Sequence, residues 1–272
     1  MTPRAVCLAL LLLAPIGAAV AQRGGRGFGR TQAALGDPNE FYTPPDFRGN
    51  AKYDGRFTFA RIKYRGFEHF QSEGPGWSHD YPRAESHFMR IMREVSTIRP
   101  FIESGGIVGG NILALDDPAL AKYPVAYLSE PGGWSPNEAE VVALRTYLTK
   151  GGFLIVDDFE ENCSSGGDMS NFVAQMGRVL PRAKLIEIPP AHPIFDSFYK
   201  INLEILGQGR GLRAVWYGIF QDNDPKKRLM LVANYMNDIG EAWQWSDRGF
   251  NMVPTNEAYK LGVNYLIYAL TH

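Results

Sequence analysis

The sequence GGFLIVDDFEENCSSGGD, residues 151–168, gives the clearest indication of the fold. Two glycines precede a continuous apolar run from Phe153 to Val156, and Asp157 and Asp158 follow that run directly. A short apolar run without alternating polar residues is typical of a central strand in a parallel sheet, because such a strand is buried on both faces. We therefore expect a strand that ends at the two aspartates and opens into a polar loop.

The segments around this strand alternate between strand and helix patterns. PVAYLS (124–129) reads as a buried strand, and SPNEAEVVALRTYLTKGG (135–152) as a helix that Ser135 caps and whose capping box Glu138 closes. Such alternation predicts a parallel sheet with helices on both faces, that is, a flavodoxin-like three-layer α/β sandwich. Further strands are expected within residues 56–64, 106–115 and 183–189, and further helices within residues 82–98, 169–179 and 257–270.

The pattern changes towards the C-terminus. RAVWYGIFQ (213–221) and RLMLVANYM (228–236) read as two strands, and the turn DNDPKK joins them. A short connection of this kind makes the two strands antiparallel. We therefore expect a C-terminal hairpin that extends the mostly parallel sheet.

The N-terminal residues 1–21 have the features of a secretory signal peptide. Arg4 supplies a basic start, an apolar core follows, and the small residues at 19–21 form a cleavage site. An uncleaved anchor is the alternative, although the apolar core is short for a membrane span. Residues 22–55 are rich in Gly, Arg and Pro and predict a flexible linker, which leaves residues 56–272 as the folded domain.

The amino-acid composition limits which cellular locations and which classes of binding partner are to be expected. After cleavage the chain keeps a single cysteine, Cys163, so it can form no internal disulfide. A formal net charge of −1 gives no electrostatic reason to expect nucleic acid or an anionic membrane as a partner. We expect a protein of the bacterial periplasm or a secreted protein, with no stable membrane span once the signal segment is removed.

Candidate binding residues follow the strands, because ligands of open parallel sheets bind outside the carboxyl ends of the strands. Aromatic faces can stack on a sugar, and carboxylates can accept protons from hydroxyl or amine groups. These residues therefore suggest a sugar- or peptide-like ligand, unless the tryptophans are buried lids over the sheet. The candidates are Trp77, Asp80, Glu130, Trp134, Asp157, Asp158, His192, Asp238 and Trp243.

The spacing of potential ligand residues in the sequence does not indicate a metal or cofactor site. Five residues could supply metal ligands in principle, but no HxH, HExxH or CxxC spacing brings ligands together, and we assign neither a metal nor a cofactor. No G-x-G-x-x-G follows a strand, and no G-x-S-x-G elbow is present. The five residues are His69, His79, Asp157, Asp158 and His192.

The two aspartates and the cysteine are expected to have different roles. Adjacent residues of a strand point to opposite faces, so Asp157 and Asp158 cannot form a facing acid/base pair. One of them can bind backbone amides or cap the turn, while the other faces the cleft. Cys163 lies several residues past the strand end, and Glu160 and Glu161 would raise its pKa, so it reads as a loop thiol and not as a nucleophile.

Several ordered motifs resemble the domain-of-unknown-function family 4159 over about residues 56–270. They are FTFARIKYRG, W-x-x-D-Y-P at 77–82, EVSTIRP, the long run from YPVAYLSEPGGW to GGFLIVDDF, and HPIF. The resemblance implies a fold similar to class I glutamine amidotransferases, whose nucleophilic cysteine stands directly after this central strand. Here that turn reads Val156-Asp157-Asp158-Phe159, so the resemblance implies the place of the cleft and not amidotransferase catalysis.

Three functions remain open on this evidence. The first is a non-catalytic binding or scaffolding module. The second is a hydrolase that acts on a sugar- or peptide-like substrate and uses Asp157 or Asp158 with His192 or His79 as its acid and base. The third is a module that binds another envelope protein through an exposed apolar patch.

Overall fold

The computed structural model describes residues 43–65, 75–102, 110–159, 167–206 and 213–272. Residues 1–42, which include the predicted signal segment and most of the predicted linker, lie outside these ranges, as do Glu160, Glu161, Cys163 and His69.

The described strands form one seven-stranded sheet in the order β2-β1-β3-β4-β7-β6-β5. Neighbouring strands from β2 to β7 are parallel, whereas β6 pairs antiparallel with both β7 and β5. This confirms the predicted mixed α/β fold with an antiparallel strand pair at its C-terminal end. The strands are β1 (Ala60–Ile62), β2 (Asn111–Leu113), β3 (Val125–Ser129), β4 (Phe153–Asp157), β5 (Ile186–Glu187), β6 (Val215–Phe220) and β7 (Leu229–Tyr235).

Helices cover both faces of the sheet and give the molecule three layers, consistent with a flavodoxin-like fold. Helices α1, α5 and α6 pack on one face, and α2 and α3 pack on the other. No helix among the described residues combines the length and the apolar composition that a membrane span requires. The helices are α1 (Arg83–Val95), α2 (Glu138–Thr149), α3 (Asp168–Val179), α4 (Leu203–Leu206), α5 (Ile239–Gln244) and α6 (Met252–Thr271).

Strand β4 lies inside the sheet and is buried along its whole length. Phe153 and Ile155 pack into the core beneath α1 and α6, while Leu154 and Val156 pack into the core beneath α2 and α3. This alternation turns the side chain of Asp157, the last residue of β4, towards the face that α5 covers.

Helix α2 begins later than the sequence patterns suggest. Its N-cap is Asn137 and not Ser135: the Asn137 side chain accepts the N–H of Glu140 at 2.9 Å, and Glu140 accepts the N–H of Asn137 at 2.8 Å. Asparagine caps a helix as well as serine does. A glutamate follows both Ser135 and Asn137 three residues later, so the sequence pattern fits either cap. Arg65 lies 3.7 Å from the Glu140 carboxylate.

The sheet edges also differ from the sequence patterns. Strand β5 spans only two residues, and it pairs antiparallel with β6. At the opposite edge, the Asn50 side chain exchanges two hydrogen bonds with the backbone of Ile112 in β2, and the Ala51 N–H donates to Asn111 Oδ1 at 2.9 Å. Residues 50 and 51, which the sequence assigns to the linker, therefore attach to the edge of the sheet.

A fully buried ion pair joins the sheet to helix α1. The guanidinium of Arg61 in β1 contacts the Glu85 carboxylate, and neither side chain is exposed. Arg61 also donates to the carbonyl of Trp77 at 2.9 Å and lies over the Tyr127 ring at 4.9 Å from its centre. This one cation therefore connects β1, α1, β3 and the loop before α1.

Replacement of this cation should be costly. We expect Arg61→Leu to lower the free energy of unfolding by about 3–5 kcal/mol, because it leaves the Glu85 carboxylate buried and without its counter-charge. Arg93→Leu is the control, since the Arg93–Glu94 pair is exposed, and should cost less than about 1 kcal/mol. Urea unfolding measures both, and equal losses would contradict the expectation.

Candidate functional site

Asp157 is a buried junction at the carboxyl end of β4. Its side chain has no exposed surface and accepts four hydrogen bonds from described residues. Tyr127 of β3 donates its hydroxyl to Oδ2 at 2.6 Å, and Asn234 of β7 donates to Oδ1 at 2.8 Å. The backbone N–H groups of Ile239 and Gly240, at the start of α5, donate at 3.4 and 2.9 Å.

These contacts extend to helix α6 and fix the role of Asp157. Asn234 Oδ1 accepts the Tyr265 hydroxyl at 2.6 Å. Burial raises the pKa of Asp157, while the hydrogen bonds from Tyr127 and Asn234 act in the opposite direction. Asp157 is therefore the aspartate that binds backbone amides, as expected for one of the two, and its lone pairs are used within the protein.

Three residues around this junction have left-handed backbone conformations although none is glycine. Asp80 has φ 64°, Glu130 has φ 45° and Asp158 has φ 57°. Such conformations cost free energy, and they concentrate at functional sites. The backbone of Glu130 is held on both sides: its N–H donates to the Asp157 carbonyl at 3.1 Å, and its carbonyl accepts the Tyr64 hydroxyl.

The carboxylates of Asp80, Asp158 and Asp238 converge next to the junction. One oxygen from each lies within 4.8 Å of the others. Burial is the main cause of a pKa well above the usual range for Asp80, and Asp238 and Asp157 add to it while Arg61 opposes it. Burial likewise raises the pKa of Asp238 well above its usual range, with further contributions from Asp158 and Asp157.

A second group shares Asp158. A nitrogen of His79 and carboxylate oxygens of Glu130 and Asp158 also lie within 4.8 Å of one another. His79 Nδ1 directly contacts Glu130 Oε1. The arrangement therefore brings an imidazole and two carboxylates together, a combination that can transfer protons or bind a cation.

A cavity of about 690 Å³ opens beside these groups, at the carboxyl ends of β4 and β7. Asp158, Asp238 and Glu241 give it a carboxylate side, and Phe159 and Phe250 contribute apolar walls. Asp158 therefore diverges from Asp157 and faces the cleft. Further wall residues are Ile205, Leu206, Met236, Ala242, Val253, Pro254 and Ala258.

The three candidate tryptophans are core residues and not surfaces for stacking. Trp77, Trp134 and Trp243 are each at most 1% exposed. Trp243 stacks on Phe88 at 4.5 Å between ring centres, and Trp134 packs near Phe172. Of the two interpretations, the buried one is correct, because the helices and loops close over these rings.

His192 does not join the carboxylates. It accepts the N–H of Ile194 at the start of a short helical turn, and its ring packs against Phe220 and Tyr268 at 5.5 and 5.6 Å between ring centres. Phe220 ends β6 and pairs with Leu229, which begins β7, so this place is the edge opposite the carboxyl end of β7. The loop after β5 folds back across the sheet, which sequence spacing does not reveal.

Sequence patterns did not identify three residues that build the site: Tyr127, Asn234 and Gly240. Asn234 offers a usable signal, since a lone amide inside the apolar run LMLVANY requires a buried partner. Position 240 requires a glycine because two side chains lie close to its backbone: an added Cβ would lie 2.5 Å from the Tyr127 hydroxyl and 2.6 Å from Asp80 Oδ2. Tyr127 carries no distinguishing pattern, because tyrosine is common in strands.

Gly240→Ala should destabilise the protein by about 1–3 kcal/mol, because the added methyl group overpacks a fixed site. The helical propensity of alanine alone would act in the opposite direction. Gly177→Ala is the matched control: Gly177 lies in α3, no atom of a described residue is within 4 Å of an added Cβ, and we expect a gain in stability of about 0.5–1 kcal/mol. Thermal unfolding of both variants tests this, and a stabilised Gly240→Ala would contradict it.

His192 should make stability depend on pH. Burial, with the nearby His272, lowers the pKa of His192 below the 6.5 of an unfolded chain. Its stabilising effect is therefore complete above about pH 6.5 and is lost as the pH falls through the folded-state pKa. His192→Asn keeps an acceptor for Ile194 but cannot take up a proton. In urea unfolding, the advantage of the wild type over this variant should shrink from pH 7.5 to pH 5; a constant difference would refute the assignment.

Comparison with known proteins identifies the family. A search of the curated proteins found no match. The sequence profile of one family, Domain of unknown function (DUF4159), matches residues 58–270, which include β1, the cleft and nearly all of α6. The chain therefore belongs to the DUF4159 family.

Proposed function

We propose that the chain is an exported, non-catalytic binding domain whose cleft takes a sugar- or peptide-like ligand. The observation that carries this proposal is the cavity of about 690 Å³ at the carboxyl ends of β4 and β7. Asp158, Asp238 and Glu241 offer acceptors on one side, and apolar residues line the other. Ligand sites combine apolar walls with a few polar groups that orient the ligand in this way.

The walls favour a ligand with two chemically different ends. The carboxylates suit an ammonium or hydroxyl head. Phe250 is 41% exposed at the cavity wall and can pack against a sugar ring or an apolar side chain, a role that the buried tryptophans do not fill. A polyanionic ligand would be repelled by the three carboxylates.

We also propose that the protein is exported and that its fold is similar to that of class I glutamine amidotransferases. Residues 1–21 have signal-peptide features, which favour the bacterial periplasm or secretion. Asp158 directly follows β4 with φ 57°, in keeping with the strained strand-to-helix turn on which related folds place a nucleophile. An aspartate at this turn in place of cysteine supports a domain that binds its ligand without amidotransferase chemistry.

A carboxylate-dependent hydrolase is the second candidate, because one observation favours it. His79 contacts Glu130 beside Asp158, so an imidazole oriented by one carboxylate lies next to another. That is the arrangement of a general acid and base. Asp157 is committed to four internal hydrogen bonds and His192 lies elsewhere, so such an enzyme would depend on His79 and Asp158.

The binding proposal predicts a ligand effect that depends on Phe250. A panel of N-acetylglucosamine oligomers and tripeptides with free or acetylated amino termini should contain a compound that raises the melting temperature in the presence of EDTA. Phe250→Ala should weaken its binding about tenfold by calorimetry, since a ring contact is lost. Phe198→Ala is the control, because Phe198 is 49% exposed and does not line the cavity.

Two results would overturn the proposal. If no member of the panel raises the melting temperature, the small-molecule function is contradicted and binding to an envelope protein is favoured. If the purified protein cleaves a panel compound and His79→Gln abolishes the cleavage, the hydrolase replaces the binding domain.

A further inference from the structure

We propose that Asp80, Asp158 and Asp238 bind one hard divalent cation at the inner end of the cleft. Mg²⁺, Ca²⁺ and Mn²⁺ are the class that fits, because the three protein ligands are carboxylate oxygens. This inference does not rest on the organic ligand proposed above, and each can fail without the other.

The spacing of the carboxylates matches one coordination shell. One oxygen from each aspartate lies within 4.8 Å of the others. Ligands on opposite sides of an ion with bonds of about 2.0–2.6 Å lie about 4–5 Å apart, and adjacent ligands lie closer. The three oxygens can therefore contact a single ion with little movement.

Asp80 provides an independent sign of a missing partner. Its side chain is 7% exposed, and its Oδ2 atom accepts no hydrogen bond from any described residue. A buried carboxylate oxygen without a donor costs free energy. Gly240 packs closely against this oxygen, since an added Cβ would lie 2.6 Å from it. A cation between the three carboxylates would satisfy Asp80 and offset their repulsion.

The group of His79, Glu130 and Asp158 is the competing site, and it is less suitable. His79 Nδ1 is already in contact with Glu130 Oε1, so this nitrogen would have to exchange one partner for another. An imidazole would also favour zinc and other transition metals over a hard cation. Asp158 belongs to both groups, so substitution of Asp158 cannot distinguish them, whereas substitutions of Asp80, Asp238 and His79 can.

The site is reached from the cavity. Asp158 and Asp238 line the cavity, and Asp80 lies behind them, where it is more buried than Asp238. Hard cations commonly keep water on the side that the protein leaves open. The cation would therefore face the cleft, where an oxygen atom of a bound molecule could replace such a water.

The test uses the full domain after removal of metals with EDTA and desalting. Mn²⁺ titrated by calorimetry should bind with a stoichiometry of one and raise the melting temperature, and Mg²⁺ or Ca²⁺ should compete. Asp80→Asn, Asp158→Asn and Asp238→Asn should each weaken Mn²⁺ binding about tenfold or more. Asn tolerates the left-handed backbone of Asp80 and Asp158 and can replace Asp238 as the N-cap of α5, so these variants should fold.

Two controls make the result decisive. Asp247→Asn should leave Mn²⁺ binding unchanged, because Asp247 is exposed and pairs with Arg83 outside the cluster. His79→Gln should also leave Mn²⁺ binding unchanged. The electron spin echo envelope modulation spectrum of bound Mn²⁺ should show no coupling to an imidazole nitrogen.

Three results would overturn the proposal. The first is no binding of Mn²⁺, Mg²⁺ or Ca²⁺ at millimolar concentration. The second is binding that survives Asp80→Asn and Asp238→Asn but is lost in His79→Gln. The third is equal loss in Asp247→Asn. The panel of sugars and peptides is tested in the presence of EDTA, so its result does not depend on whether the protein binds a cation.

Discussion

Asp157, the last residue of the central strand β4, has a fully buried carboxylate. A carboxylate without contact to water must receive hydrogen bonds from the protein, and its donors here come from β3, β7 and the first turn of α5. Tyr127 and Asn234 are 107 residues apart in the chain, and Asp157 brings them to one point. The same contact fixes where α5 begins, and therefore where Asp238, its N-cap, presents its carboxylate.

Asp157 receives more hydrogen bonds from described residues than the nearby carboxylate of Asp80 does. Asp157 takes the backbone donors of Ile239 and Gly240, and Asp238 accepts the N–H of Glu241. Asp80 faces the same place without a donor for Oδ2 among the described residues. A sequence selected for stability alone would not bury a carboxylate in this way beside two others, and it would not use a left-handed backbone to do so. The free energy cost is concentrated at the cleft, where ligand binding can offset it.

Local patterns in the sequence predicted the parts of this arrangement that depend on neighbouring residues. The run from Phe153 to Val156 predicted the central strand. Asp157 and Asp158 diverge as expected, but a left-handed turn at Asp158, beyond the end of β4, separates them and not alternation along the strand. Patterns could not show that Trp77, Trp134 and Trp243 are buried or that His192 lies at the other edge, because the packing of helices and loops that are distant in the sequence decides both. The predicted cap of α2 was wrong by two residues, because Ser135 and Asn137 are comparable caps and a glutamate follows each of them three residues later.

The two adjacent aspartates therefore have different roles: Asp157 stabilises the fold, and Asp158 lines the cleft. The hydrogen bonds of Asp157 and its partners connect five elements. A substitution of Asp157 would therefore disturb the fold before it affected the binding of any ligand. Asp158 has left the strand, faces the cleft and belongs to both clusters of potential ligands. Its left-handed backbone excludes β-branched and bulky residues but tolerates Asn or Gly. The scaffold of β3, β4, β7, α5 and α6 can therefore stay constant while the chemistry at position 158 changes, and this is how one fold can host different sites.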